Sequence, residues 1–309
     1  MERLFYAFGT MNHIQVEDNI SIVLMDQMVE TASELDDLLS VFKPNSEISQ
    51  INENAGLRPT KVSSETIKLL ERALHYSDIS KGSFDITIRP AVKLWSIGHK
   101  EQRIPTEEEI QEIRQLVDYR QVEIDKVSGS VYLRNKGQAI DLGGIAKGYA
   151  ADLIGTKLKM AGVKSAILNF GGTIVTIGNK KNGTSWRVGI QNPLAKRGCS
   201  VGAVNLKDTA MVTSAVNERF FIKDGIRYHH LLDPTTLKPA QSGVMSISAV
   251  GTCAMDLDAL TTALFVMGME KGIALAKSLG IDAIYLLDNG SMFSTNGFVG
   301  KDLSFQTNS

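Results

Sequence analysis

Between Met28 and Phe42 the apolar residues Val29, Ala32, Leu35, Leu38, Leu39 and Phe42 recur at intervals of three and four, which predicts an amphipathic helix. Thr66 to Ile79 repeats that period through Ile67, Leu70, Leu74 and Tyr76, with Ser63 and Ser64 as candidate N-caps. Pro105-Thr106-Glu107-Glu108-Glu109 opens a further helix, its acidic first turn complementing the positive end of the helix dipole. Late helices are expected from about Asp256 to Gly268 and from Lys271 to Leu279.

Strand-like composition marks Leu4 to Phe8 and His13 to Val16, and Ile20 to Met25 continues it as a further strand. Short β-branched runs follow at Gln121 to Ile124, Ser130 to Leu133, Ser165 to Phe170, Gly172 to Ile177, Trp186 to Ile190, Gly202 to Leu206 and Val244 to Val250. A closing hairpin, Ala283 to Leu287 and Met292 to Ser294, turns at Asp288-Asn289-Gly290. The reading is a mixed α+β chain rather than a βαβ series, with no internal repeat and no Pro/Gly-rich linker. At 309 residues, one large domain or two intimately packed ones remain open.

Composition narrows the class. Hydrophobic residues make up 43% and charged residues 22%, with a net charge of -1, which excludes disorder, collagen-like repeats and coiled coil. No basic block offers an electrostatic footprint for duplex nucleic acid or an anionic membrane. No apolar run approaches the roughly 18 residues of a membrane span; the nearest is Ala263 to Met267, so no transmembrane segment is expected. The start, Met1 to Thr10, lacks the apolar stretch of a signal peptide, so the expected location is cytoplasmic unless a leader has been cut away. Cys199 and Cys253 are far apart, with no metal or redox pairing, and are expected to be reduced and buried.

Gly-x-Gly-x-x-Gly, Walker A and His-Glu-x-x-His motifs are missing, which removes the main support for dinucleotide, P-loop and zincin readings. Gly198 to Gly202 matches Gly-x-Ser-x-Gly, but a nucleophile elbow at Ser200 needs a strand before it and a helix after it, and Val201 to Leu206 reads as a strand.

Four segments could carry chemistry. Ile140-Asp141-Leu142-Gly143-Gly144 leads into a helix bearing Lys147 in its first turn, an arrangement suited to a phosphate-bearing ligand or, equally, to a plain strand-to-helix turn. Asp258 and Thr262 stand four apart on one helical face, hard-oxygen donors of the kind Mg²⁺ accepts beside phosphates; alternatively Asp256 or Asp258 is only the helix N-cap. His229 and His230 point to opposite faces of a strand, so at most one serves a given site. Gly82 to Pro90 holds Ser83, Phe84 and a buried-looking Asp85.

In this order the segments resemble the ApbE-type FAD:protein FMN transferase family. Matches run from Phe8-Gly9-Thr10-Met11 through Ser46 to Asn52, Gly82 to Pro90, Asp141 to Asp152, Leu168 to Gly172, Trp186 to Pro193, Thr213-Ser214, His230 to Pro234 and Ala254 to Gly268. The resemblance implies one compact α+β unit spanning residues 1–309, with flavin in a cleft between two lobes. It further implies Mg²⁺-dependent transfer of FMN from FAD to a threonine hydroxyl of an acceptor protein, with release of AMP. By position, Asp258 and Thr262 would ligate Mg²⁺ with the carbonyl of Gly144. Met11, Ser83, Phe84, Asp85, Asp141 and Lys147 fall where the family contacts FAD, and Phe42 stands where relatives often carry a flavin-contacting tyrosine. His230, counted with the FAD contacts, is the best-placed candidate base. With water in place of the acceptor, the same site would be a FAD pyrophosphatase. A carrier that only holds FAD would have no need of a phosphate-activating metal.

Overall fold

Ile20 to Met25 does not form a strand. In the computed structural model, which describes residues 1–196 and 198–295, the Ser21 hydroxyl accepts from the Leu24 N–H and starts a helix at Ile22. A capping serine outweighs the local β-branched composition, because the helix then buries Met25, Met28, Ala32, Leu35 and Leu39 along one stripe. That helix ends at Leu39, which leaves Phe42 in the following turn rather than on the helix.

The chain begins β1 (Glu2–Ala7), β2 (Thr10–Val16), α1 (Ile22–Leu39), α2 (Glu47–Glu53), β3 (Thr60–Lys61), α3 (Ser64–Ile79), α4 (Arg89–Trp95) and α5 (Glu107–Ile113). It continues through β4 (Val122–Asp125), β5 (Ser130–Leu133), α6 (Ala146–Met160), β6 (Ala166–Phe170), β7 (Thr173–Ile177), β8 (Trp186–Gln191), β9 (Ser200–Leu206) and β10 (Ala210–Ala215). The last described elements are β11 (Phe220–Lys223), β12 (Ile226–His229), β13 (Leu232–Asp233), β14 (Lys238–Pro239), β15 (Val244–Gly251), α7 (Ala254–Ser278), β16 (Asp282–Leu287) and β17 (Met292–Ser294). Ser63 caps α3, and Thr106 with Glu109 forms a capping box on α5. Ser200 opens β9 with no helix after it, so the nucleophile-elbow geometry is not present.

An antiparallel sheet of order β1-β2-β6-β7-β10-β15-β16-β17 organises the fold. Helices α1, α6 and α7 cover one face, packing Met28, Ile154, Leu158, Leu264 and Phe265 against Leu168, Phe170, Val212 and Ile247. The β8–β9 hairpin covers part of the other face through Ile190, Val204 and Leu206. A second core gathers α2, α3 and the β3-β5-β4 sheet around Ile48, Leu70, Val131 and Leu142. Helix α7 serves both cores: Leu257 and Leu264 face the large sheet, Ala259, Leu260 and Ala263 the smaller core.

By length and composition α7 alone among the described helices could cross a membrane, yet half of that apolar window is buried inside the protein. It is also broken at Gly268 (φ 76°, ψ 174°), where the sequence pattern divides it. Cys253 is half-buried, but Cys199 is exposed rather than buried, because it sits in the β8–β9 turn.

Helices α6 and α7 meet closely at Gly148, where a Cβ would lie 2.3 Å from the Ala254 carbonyl oxygen and 2.6 Å from the Met255 Cα. Backbone on both sides cannot yield as a flexible side chain would. Gly148→Ala is therefore expected to destabilise the protein by about 1–3 kcal/mol, read as a lower urea midpoint. Gly155→Ala, in the same helix with its nearest contact a Val175 methyl at 3.4 Å, is expected to be neutral or stabilising. Equal losses for the two variants would contradict this packing.

Candidate functional site

The α6–α7 junction brings together the residues singled out around Gly144, Lys147, Asp258 and Thr262. Ile145 precedes α6 without a side-chain capping bond, so the first N–H groups of that helix need partners from elsewhere. Asp258 supplies one: its Oδ2 accepts from the Gly148 N–H at 3.1 Å. Lys147 Nζ lies 3.3 and 3.4 Å from the same carboxylate and donates to the Gly143 carbonyl at 2.7 Å. Asp258 is only 5% exposed, and a buried carboxylate needs this combination of cation and N–H donor.

Thr262, one turn on, donates its hydroxyl to the Asp258 carbonyl at 3.4 Å. A Cβ on Gly144 would stand 3.1 Å from Phe84 Cε2 and 3.5 Å from Thr262 Oγ1, so the glycine backbone sits between the buried Phe84 ring and the threonine hydroxyl. Neither Asp256 nor Asp258 is the N-cap of α7, which begins after Cys253. Asp256 instead pairs with Arg72 of α3, at 2.6 and 2.7 Å.

Asp141 borders the junction. Its Oδ1 accepts from the Gly143 N–H at 2.8 Å, and its Oδ2 lies 3.4 Å from Arg89 Nη1. The Arg89 guanidinium in turn sits 4.7 Å from the centroid of the exposed Phe42 ring, whose other neighbour is His99 at 5.6 Å. Asp85 is turned inward: Oδ1 accepts from the Thr87 N–H and hydroxyl, and Oδ2 from the Tyr119 N–H. Burial pushes its carboxyl pKa up against those bonds. Ser83 follows the turn at Gly82 and donates its N–H to the Ser80 carbonyl. Met11 lies on β2 opposite Tyr6 and is largely exposed.

The two histidines diverge as strand alternation requires. His229 is buried against Phe265, ring centroids 5.5 Å apart, with Nε2 3.1 Å from the Ala240 carbonyl. A carbonyl only accepts, so that nitrogen carries the proton, and Nδ1 finds no partner among the described residues. His230, half-buried just beyond β12, places Nδ1 3.2 Å from the Arg219 carbonyl. By the same argument Nδ1 is protonated and Nε2 is left as the basic atom. Desolvation lowers the His230 pKa from 6.5 to about 4, and the charges of Arg219 and Lys147 push the same way. Arg219 also donates to the Gly9 carbonyl at 3.4 Å, joining the β1–β2 turn to this segment.

Sequence reading missed Arg89, Arg219 and Gly148 as parts of this arrangement. Arg89 and Arg219 act through contacts made by folding alone. Gly148 did leave a signal, standing directly after Lys147 in the first turn of the helix expected beyond Gly144.

The sequence model of the ApbE family matches residues 8–285. The chain belongs to the ApbE family. It is 34% identical over 267 residues to a FAD:protein FMN transferase of Klebsiella pneumoniae, covering 86% of this chain and 83% of that one. To a Treponema pallidum protein of the same name it is 33% identical over 303 residues, 94% and 81% of the two chains. The crystal structure of the Thermotoga maritima ApbE protein superposes with a TM-score of 0.89 at 30% identity, covering 97% of this chain and 98% of that one. The Vibrio cholerae flavin transferase ApbE gives 0.87 at 26% identity, covering 97% and 99%.

Because its folded pKa lies below the unfolded value, His230 contributes stability that is complete above pH 6.5 and is lost as pH falls from there toward 4. An NMR titration of the free protein is expected to show His230 neutral at pH 5.5, with its midpoint near 4. A midpoint near 6.5 would mean that the ring is not desolvated.

Proposed function

We propose that this protein transfers FMN from FAD to a threonine hydroxyl of an acceptor protein, with Mg²⁺ as cofactor and AMP as the leaving product. The observation that carries the proposal is the junction itself: a buried carboxylate, a hydroxyl, a glycine backbone and a lysine meeting where two helices begin, in a chain whose relatives are FAD:protein FMN transferases.

The donor set fits a hard cation. Among the described residues no group of three or more His, Cys, Asp or Glu could form a ready-made cage. One carboxylate with a hydroxyl and a carbonyl suits an ion that takes its remaining ligands from water and substrate phosphates, as Mg²⁺ does. Asp258 and Thr262 would hold it, with the Gly144 carbonyl. Bound there, the cation would neutralise charge building on the phosphoryl oxygens.

The chain's own groups account for the rest. Lys147 pairs with the pyrophosphate and orients it, and the Gly143-Gly144 turn lets backbone approach closely. Phe42, backed by Arg89, offers a flat face to the isoalloxazine ring, and Met11, Ser83 and Asp141 bound the same ligand. Phe84 and Asp85 support the wall from behind. The acceptor oxygen forms a bond to the FMN phosphorus while the phosphoanhydride bond breaks, its electron pair leaving on the AMP phosphate. The hydroxyl proton passes to His230 Nε2. A ring with a pKa near 4 is unprotonated at neutral pH but weakly basic, and the negative pyrophosphate would raise it toward the working range.

Excess chelator and Asp258→Ala are each expected to cut AMP release by about 10²–10⁴-fold with the circular dichroism spectrum unchanged, since a catalytic cation supplies several kcal/mol of charge stabilisation. Turnover undiminished by chelator would sink the metal assignment. His230→Ala is expected to slow transfer by about 10²–10⁴-fold with FAD affinity little changed, whereas His229→Ala should act through stability. Similar modest rate losses in both variants, with matching drops in melting temperature, would remove His230 from the chemistry.

A further inference from the structure

Asp152 takes no part in the proposed chemistry, yet its position in the fold mirrors that of Asp258. It lies one helical turn beyond Gly148 on α6 and reaches across to the start of α7. Its Oδ1 accepts from the Ala254 N–H at 3.0 Å, and its Oδ2 from the Met255 N–H at 2.9 Å and the Cys253 thiol at 3.3 Å. Helix α7 has no capping bond from its own N-cap residue, so a carboxylate from the neighbouring helix does that work. In the opposite direction Asp258 of α7 accepts from the Gly148 N–H of α6, whose own N-cap also makes no side-chain bond. Each helix thus caps the other. The exchange is possible because Gly148 lets the two backbones meet, leaving a Cβ there only 2.3 Å from the Ala254 oxygen.

We propose that Asp152 is the positioning residue that fixes where the Asp258 carboxylate stands relative to Gly148 and Lys147. The Asp152 bonds set the height and rotation of the first turn of α7, and Asp258 follows Ala254 by one turn. Any slip at Ala254 and Met255 carries Asp258 with it. The bearing on Mg²⁺ rests on the proposed function; the positioning of Asp258 against Gly148 does not.

Asp152→Asn keeps the shape but turns one acceptor into a donor facing an N–H group. In the full-length protein, amide hydrogen exchange at Gly148, read by NMR, reports the Asp258 bond without any turnover. It is expected to accelerate at least about tenfold in Asp152→Asn. The Mg²⁺ concentration giving half-maximal AMP release from FAD is expected to rise about 10–100-fold, as for residues that orient a metal ligand. Ile177→Val, a cavity in the buried face of β7, is the control for lost stability and should move neither quantity. Asp152→Glu, which retains the charge one methylene farther out, should give a partial acceleration, and it carries the comparison if the Asn variant does not fold. Gly148 exchange at the wild-type rate, equal acceleration in Ile177→Val, or an unchanged Mg²⁺ requirement in an enzyme that needs Mg²⁺ would overturn the proposal. If wild-type turnover is indifferent to chelator, the metal reading fails by itself, and Gly148 exchange in Asp152→Asn still decides the role of Asp152.

Discussion

A carboxylate buried to 5% exposure cannot stand without partners, and the surroundings of Asp258 are organised by that requirement. Lys147 and the Gly148 N–H satisfy it, and both come from the first turn of another helix. The two helices must therefore meet at their N-termini, which demands a glycine at 148 and a long turn, Leu142 to Ile145, to bring α6 in from the smaller core. The large sheet and the smaller core of α2, α3 and the β3-β5-β4 sheet then serve as two walls against which α7 is wedged. Arg72 holds its first turn on one side through Asp256, and Asp152 holds it on the other.

The histidine pair makes the same point about environment and role. Adjacent in sequence, His229 and His230 both have lowered pKa values through desolvation, and both donate one ring N–H to a carbonyl. They differ in what the second nitrogen meets. His229 Nδ1 is enclosed against Phe265 with no partner among the described residues, whereas the charge of Lys147 reaches His230 and adds to the lowering of its pKa. Enclosure against Phe265 makes one a packing residue, and a second ring nitrogen left free to take a proton makes the other a candidate for proton transfer.

Much of this was legible from the chain. Period-3.6 stripes located α1 and α3, the Asp288-Asn289-Gly290 turn located the last hairpin, and the spacing of Asp258 and Thr262 put them on one face. The failures have physical causes. Ile22 to Leu24 looks like a strand because its residues are apolar, but a single hydroxyl at Ser21 commits it to a helix. β10 escaped notice because Ala210 to Ala215 mixes small and polar residues whose strand state is imposed by β7 and β15 on either side. The Arg89–Phe42 stack and the Arg219–Gly9 contact join segments far apart in sequence, and no local pattern encodes them.

If the α6–α7 junction moves FMN onto a protein rather than simply cleaving FAD, AMP release and covalent flavinylation must keep pace. The ratio of AMP released to FMN bound covalently to threonine reads this. Purified protein, FAD and Mg²⁺ would be incubated with a protein extract of the source cells, AMP quantified by chromatography and flavinylated peptides by mass spectrometry. Equal amounts of the two are expected, both abolished by Asp258→Ala. AMP accumulating with free FMN and no flavin on protein would contradict it.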